Sequence, residues 1–279
     1  MRVVERIDQV RSFVRAVGRS TVGLVATLGA LHAGHRSLVE HARAAGDTVV
    51  GTLFLNPTQF SEKADLESYP RTRDDDLALF RDAGASLVFA PAVRTMYPPG
   101  FETTVLPGRV GEPLEGAGRP GHFPAVCTVV AKLLNIVTPA RAYFGQKDAQ
   151  QVAVLRRIVT DLDIDVEMVV CATVRDHDGV ALSSRNALLT PEQRARAVAI
   201  PRALEACRAR FGAGERDAEA LRAVLRDRLR GSVDLEYASV ADPDTMAELE
   251  TVDRSGVASV AVRVGGVRLI DNVPLEPVS

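Results

Sequence analysis

A chain of 279 residues, 46% hydrophobic and 25% charged, has room for one large or two modest domains, each with its own core. Its formal net charge of −2 gives no electrostatic footprint for a nucleic-acid partner, and no apolar run reaches the roughly 20 residues of a membrane span. Cys127, Cys171 and Cys207 stand far apart with no CxxC pair, which fits buried free thiols in a reducing cytoplasm.

The opening stretch "MRVVERIDQVRSFVRAV" carries charges throughout and reads as an amphipathic helix, not a secretion signal. Short apolar runs then alternate with helical patterns. "VGLVATLG" reads as a buried strand, "HRSLVEHARAAG" as a helix, "TVVGTLFLN" as a strand, "DDDLALFRDAGA" as a helix and "SLVFAP" as a strand. "PAVCTVVAKLLNIV" follows as a helix, "RAYFG" as a short strand, "AQQVAVLRRIVTDL" as a helix and "VEMVVCATV" as a strand. Valine-rich strands alternating with helices predict an α/β fold, a doubly wound parallel sheet covered on both faces.

The pattern changes near Val174. "LTPEQRARAVAIPRALEACRARF" reads as one helix with Thr190 as N-cap, Pro191 in the first position and Gln193 closing a capping box. "DAEALRAVLRDRLR" is a second helix capped by Asp217, followed by the strand "VDLEYASV". "VASVAVRVGGVRLIDNV" is a hairpin turning at Gly265–Gly266. The expected division is therefore residues 1–174 as the doubly wound unit and 175–279 as a smaller α+β unit.

Open parallel sheets bind ligands beyond the carboxyl ends of their strands, so the residues after each strand are the candidates. "TLGALHAGH" places His32 and His35, with Gly29 and Gly34, where a strand gives way to a helix. Free N–H groups and the helix dipole there favour phosphate, glycines admit close backbone approach, and imidazoles can donate to phosphate oxygens. Zinc is the weaker reading, having no third ligand nearby, and two polar helix-start residues without a role is the plain one. "NPTQF" offers the neutral amides Asn56 and Gln59, or simply a good turn. In "YPRTRDDD", Thr72 and Asp75 form a capping box; alternatively Asp75 or Asp76 reaches magnesium, usually through water. "LEGAGRPGHF" has the composition of a loop and carries Arg119 and His122. After "RAYFG", Lys147 opposes the dipole of the helix it starts, which points to an anionic ligand, with Asp148 beside it and Gln151 one turn on. Ser183, Ser184 and Arg185 offer hydroxyls and a guanidinium fork to a polyphosphate, or else belong to a linker with a turn at Asp178–Gly179. Together these read as nucleotide chemistry with a polar acid co-substrate.

The motifs "TLGALHAGH", "NPTQF", "YPRT", "LEG..RPGHF", "YFGQKD..Q" and "LSSRN" resemble, in order and spacing over essentially the whole chain, the pantothenate synthetase (pantoate–β-alanine ligase) family. That family shares a nucleotidyltransferase superfamily with the class I aminoacyl-tRNA synthetases. The resemblance implies a Rossmann-like nucleotide- and pantoate-binding N-terminal domain, a smaller C-terminal lid and a cytoplasmic homodimer. It implies ATP as co-substrate with Mg2+, and the small-molecule substrates pantoate and β-alanine. The pantoate carboxylate attacks the α-phosphate, giving pantoyl adenylate and pyrophosphate; the β-alanine amine then attacks the acyl carbon, giving pantothenate and AMP.

By the same resemblance Leu28, Gly29, His32 and His35 form the phosphate edge of the site, with His35 the proton donor to the leaving group and His32 and Lys147 acting beside it. Gly145, Lys147 and Asp148 hold the nucleotide, Val174 touches adenine, and Leu182, Ser183, Ser184 and Arg185 close over the triphosphate. Gln59 and Gln151 grip pantoate, with Asn56 and His122 in the same substrate set, and Asp75 and Asp76 sit in the magnesium shell. The chain departs from the usual "TMGALHEGH" at Leu28 and Ala33, from "FGEKDYQQ" at Gln146 and Ala149, and from "VREADG" in carrying His177. Leucine for methionine is nearly volume-neutral, Ala149 removes a ring, and the two lost acids make the phosphate region more positive. Three other readings compete with a true synthetase. One is a relative that adenylates a similar hydroxy acid and joins it to a different amine. Another is a nucleotide-binding regulator without catalysis, and the third is a nucleotidyltransferase that stops at the adenylate.

Overall fold

The computed structural model describes residues 1–60 and 63–277. Among them, β1 (Arg2–Val4), β2 (Val22–Thr27), β3 (Thr48–Leu53), β4 (Leu87–Phe89), β5 (Arg141–Gly145) and β6 (Glu167–Cys171) form one parallel sheet in the order β1-β4-β3-β2-β5-β6. The alternation of side chains along each strand sorts them between two faces. Leu24, Val50, Leu87 and Phe89 pack on one side, against the helices His122–Val137 and Ala149–Asp161. Val25, Val49 and Val88 pack on the other, with Leu38, Val39 and Ala42 of helix Ala33–Ala44 and Phe80 of helix Arg73–Ala83. Burial on both faces explains why these strands read as continuous apolar runs.

From β2 the chain winds outward through β3 to β4, then returns to the other side of β2 for β5 and β6. The winding reverses between β2 and β5, whose registers pair Gly23 with Arg141 and Val25 with Tyr143. At such a reversal the helices leave the sheet on opposite faces, and a crevice opens beyond the strands' carboxyl ends.

A second, antiparallel sheet consists of β7 (Asp234–Ala241), β8 (Gly256–Val264) and β9 (Val267–Leu275), with the hairpin turn at Gly265–Gly266 as read from sequence. Helices Ala199–Gly212 and Ala218–Leu229 cover it through Leu204, Leu221 and Leu225. The caps at Thr190 and Asp217 form as expected, and the three cysteines are free and buried. No helix among the described residues is long and apolar enough to cross a membrane.

Three readings need correction. The opening stretch is not one helix: Arg2–Val4 pairs with Leu87–Phe89 as an edge strand, and the helix starts at Ile7. The stretch after Thr190 is two helices, Pro191–Ala197 and Ala199–Gly212. Pro201 has no N–H to give the Ala197 carbonyl, so the ladder breaks there. "LEGAGRPGHF" is not a loop throughout, since Glu115–Gly118 is a helical turn and the long helix begins at His122.

Candidate active site

The segments that leave β2 and β5 border one cavity of about 270 Å³. Its wall takes Leu28, His32 and His35 from the first segment, and Gly145, Lys147, Asp148 and Gln151 from the second. Val174, Leu182, Ser183, Ser184 and Arg185 join from beyond β6, and Asn56, Gln59 and His122 close the other end. Gly29, Asp75 and Asp76 lie off this wall.

His32 is the N-cap of helix Ala33–Ala44, and the two imidazoles cap it reciprocally. The Gly34 N–H donates to His32 Nδ1 at 3.1 Å, and the His32 N–H donates to His35 Nδ1 at 3.2 Å. A Cβ on Gly34 would lie 2.9 Å from the His32 ring, so glycine is what lets the ring reach that N–H. Because each Nδ1 accepts a backbone proton, each neutral ring carries its own proton on Nε2. The rings lie 4.1 Å apart at 47°. Burial, then the Lys147 charge, lowers His32 to about 4; burial, then His32, lowers His35 to about 3. Near neutral pH the pair is therefore two uncharged donors.

The backbone entering this helix is held in an unusual shape. Gly29 has φ +103° and Ala30 φ +52°, and the left-handed conformation costs a non-glycine residue roughly 1–2 kcal/mol. Asp76 holds it there: one carboxylate oxygen accepts the Ala30 N–H at 3.0 Å and the other the Leu31 N–H at 2.7 Å. Ser184 Oγ donates to the Ala30 carbonyl at 3.0 Å, and the Tyr69 hydroxyl to the Gly29 carbonyl at 3.3 Å. Thr72 does not box with Asp75; its hydroxyl donates to Asp76 at 3.1 Å. Asp75 is exposed on the first helical turn. Asp75 thus faces solvent off the cavity wall, and Asp76 accepts one backbone N–H on each oxygen. No group of three or more His, Cys, Asp or Glu able to hold a metal occurs among the described residues.

Across the cavity, Gln146–Asp148 forms a single tight turn before helix Ala149–Asp161. Lys147 Nζ is 3.3 Å from Asp148 Oδ1. Burial raises the Asp148 carboxyl, but Lys147 outweighs it, with help from His35 and Arg185, and the carboxyl stays below its usual range. The wrong-way lysine of the sequence thus has a local counter-ion and still faces the cavity.

At the other end, Asn56 is fully buried. Its Oδ1 accepts from the Thr58 N–H at 3.3 Å, the Thr58 hydroxyl at 2.9 Å and the Tyr97 hydroxyl at 3.0 Å. Three donors fix the amide, so Nδ2 must donate to Gln59 Oε1, 3.1 Å away. Gln59 is left with Nε2, a donor of two protons, as the end available to a ligand. His122 lies beside it: Nδ1 is 3.0 Å from the Gln59 carbonyl and Nε2 is 3.1 Å from Arg119 Nη1. A guanidinium only donates, so Nε2 accepts and Nδ1 carries the proton. Burial, then Arg119, lowers this ring to about 4.

Sequence reasoning missed the contribution of the second sheet. Tyr237, Ser259, Asp271 and Asn272 all reach the cavity wall. Glu115 pairs with Arg268 at 2.6 and 2.7 Å and accepts the Tyr237 hydroxyl at 2.9 Å, tying the turn before His122 to this sheet. The available signal was "LIDN": an acid and an amide inside an apolar strand, here only 3% and 4% exposed.

The three lowered histidines have a consequence for stability. An unfolded histidine takes up its proton near 6.5, whereas His32, His35 and His122 in the fold stay neutral down to about 4, 3 and 4. Their contribution is whole above pH 6.5 and is lost as pH falls through that window. The melting temperature of the unliganded protein is expected to fall between pH 6.5 and about 5, and less steeply in the His32→Gln/His35→Gln variant. Identical slopes for the two proteins would contradict the assignment.

Residues 2–274 match the family model described as pantoate-beta-alanine ligase. The chain is 53% identical over 278 residues to a pantothenate synthetase from Roseiflexus sp. (strain RS-1), covering 99% of this chain and 100% of that one. A crystal structure of pantothenate synthetase from Thermus thermophilus superposes with a TM-score of 0.94 at 43% identity, covering 99% and 100% of the two chains. That of pantoate-beta-alanine ligase from Francisella tularensis, complexed with beta-gamma ATP and beta-alanine, gives 0.81 at 32% identity over 98% and 97%.

Proposed function

Because the chain belongs to the pantoate–β-alanine ligase family, an ATP-using ligase family, we propose that it joins pantoate to β-alanine through pantoyl adenylate, releasing pyrophosphate and AMP. The observation that carries this reading is that donors stand at both ends of one cavity, as two anionic reactants require. Two neutral Nε2–H imidazoles and Lys147 stand at the phosphate end, and a donor amide of fixed orientation, Gln59, stands at the acid end.

A free carboxylate repels nucleophiles and has no good leaving group. Transfer of AMP to it supplies one. The protein's task is to hold two anions in line and to stabilise the charge that develops on the departing phosphates. In this reading ATP lies along Gly145–Asp148, with Lys147 on phosphate, Asp148 on the ribose, and Val174 at adenine. Ser183, Ser184 and Arg185 meet the triphosphate, while His32 and His35 donate to oxygens of the leaving pyrophosphate. Leu28 and Gly29 bring the backbone close. Pantoate oxygens accept from Gln59 and Gln151, framed by Asn56 and His122. Mg2+ accompanies the nucleotide, with Asp75 and Asp76 reaching its shell through water. Residues 1–174 form the binding domain and 175–279 the lid, in a cytoplasmic homodimer.

The adenylate is tested by exchange of labelled pyrophosphate into ATP. Exchange that needs pantoate but not β-alanine is expected; AMP formation from all three substrates without any such exchange would contradict it. Gln59→Glu removes the fixed donor and puts an acceptor against pantoate. The KM for pantoate is expected to rise on the order of 100-fold while that for ATP stays within about twofold, from the loss of a hydrogen bond to a charged group. An unchanged pantoate KM would show that Gln59 does not meet the acid.

A further inference from the structure

We infer that Asn272 on β9 is a positioning residue for the nucleotide, acting through the Lys147 turn. Its side chain is 4% exposed and lies opposite Ser259 of β8, yet it makes its bonds across to the first sheet. Nδ2 donates to the Gln146 carbonyl at 3.0 Å and the Lys147 carbonyl at 2.9 Å. Oδ1 accepts from Gln146 Nε2 at 3.2 Å. Both protons of the amide are thus used on two consecutive carbonyls, which sets the direction in which the turn presents Lys147 and Asp148.

The neighbouring residue braces the opposite side. Asp271 accepts from Arg175 at 2.6 and 3.0 Å, directly after Val174, and also accepts the Asn272 N–H at 2.8 Å. One buried dipeptide of the hairpin therefore holds the backbone of the Lys147 turn on one side and the Arg175 side chain on the other. The fit depends on the amide at residue 146. With Nδ2 aimed at two carbonyls, only Oδ1 is left towards residue 146, and Oδ1 requires a donor. Gln146 supplies it; the glutamate of the resembled motif would set oxygen against oxygen.

The inference rests on the proposed ATP site, so its test reads ATP binding directly. The dissociation constant for ATP is measured calorimetrically without pantoate, alongside the pantoate KM. Asn272→Asp keeps the size and the acceptor but loses both donated bonds, and Asn272→Ala loses all three. Each is expected to weaken ATP binding on the order of tenfold, with the pantoate KM within about twofold. Gln146→Glu, at a half-buried position outside the hairpin, keeps the test open if the Asn272 variants do not fold, and is expected to weaken ATP binding by about threefold. Unchanged ATP affinity in folded Asn272→Asp or in Gln146→Glu overturns the inference. Equal losses for ATP and pantoate overturn it too, because they mark a merely structural residue. Wild-type protein that binds no ATP overturns the functional reading and this inference with it.

Discussion

Replacing His35 with alanine is expected to lower kcat by about 10²–10³-fold, the effect of removing one preorganised donor from a developing oxyanion. The ATP KM should change little, because Lys147, Ser183, Ser184 and Arg185 still meet the triphosphate. The size of the effect follows from how the ring is held. Its Nδ1 is occupied by the His32 N–H and its Nε2–H is fixed, so no reorganisation accompanies the reaction. The ring is also uncharged before ATP arrives, because burial and His32 lower it to about 3. Bound polyphosphate would raise it, which makes proton transfer possible only in the complex. His35→Gln separates the two roles. It keeps an N–H near the place of Nε2 but has no proton to give, and about tenfold recovery over alanine is expected if donation of a hydrogen bond carries the effect. Alanine and wild-type proteins with equal kcat would remove His35 from the mechanism.

Replacing Lys147 with alanine is expected to reduce kcat/KM by a comparable 10²–10³-fold, on the order of the loss of a charged contact made in the transition state. Here the ATP KM should rise as well, since the ammonium also meets the ground-state phosphates. A second effect distinguishes this variant from loss of packing. Lys147 holds the Asp148 carboxyl below its usual range and lowers His32. Without it, both groups titrate at higher pH, and the acid limb of the pH–kcat/KM profile moves upward. A loss of activity with no movement of that limb would show that Lys147 is not electrostatically coupled to the site. Lys147→Arg keeps the charge, and restoration of the profile without full kcat is the expected outcome.

Much of this was legible along the chain because the relevant interactions are local. β2 and β3 announce themselves as valine-rich runs, since a strand buried on both faces needs apolar residues at most positions. His32 and His35 stand out because a helix start beyond a strand end has a defined electrostatic character, and Lys147 stands out because it violates it. What the sequence does not display is the set of bonds between residues far apart along it. Asp76 looks like one of three acids at a helix start, yet its partners are the Ala30 and Leu31 N–H groups, 46 and 45 residues away. His122 looks like a ligand in a glycine-rich loop, yet its ring is held between Gln59 and Arg119. The edge strand Arg2–Val4 exists only because β4 offers it an open ladder. The whole contribution of β7, β8 and β9 to the cavity depends on how the second sheet seats on the first, which no periodicity encodes. Local rules mark groups that line the cavity, and tertiary contacts show what holds them in place.

The most direct test of the account follows AMP and pyrophosphate release from Mg–ATP and pantoate, with and without β-alanine. Sustained release of both products only when β-alanine is present is the predicted result, and it would make Ala33, Gln146 and Ala149 compatible with the full ligase reaction. Release that ignores β-alanine, or none with all three substrates present, would contradict the assignment of this cavity to the joining of pantoate and β-alanine.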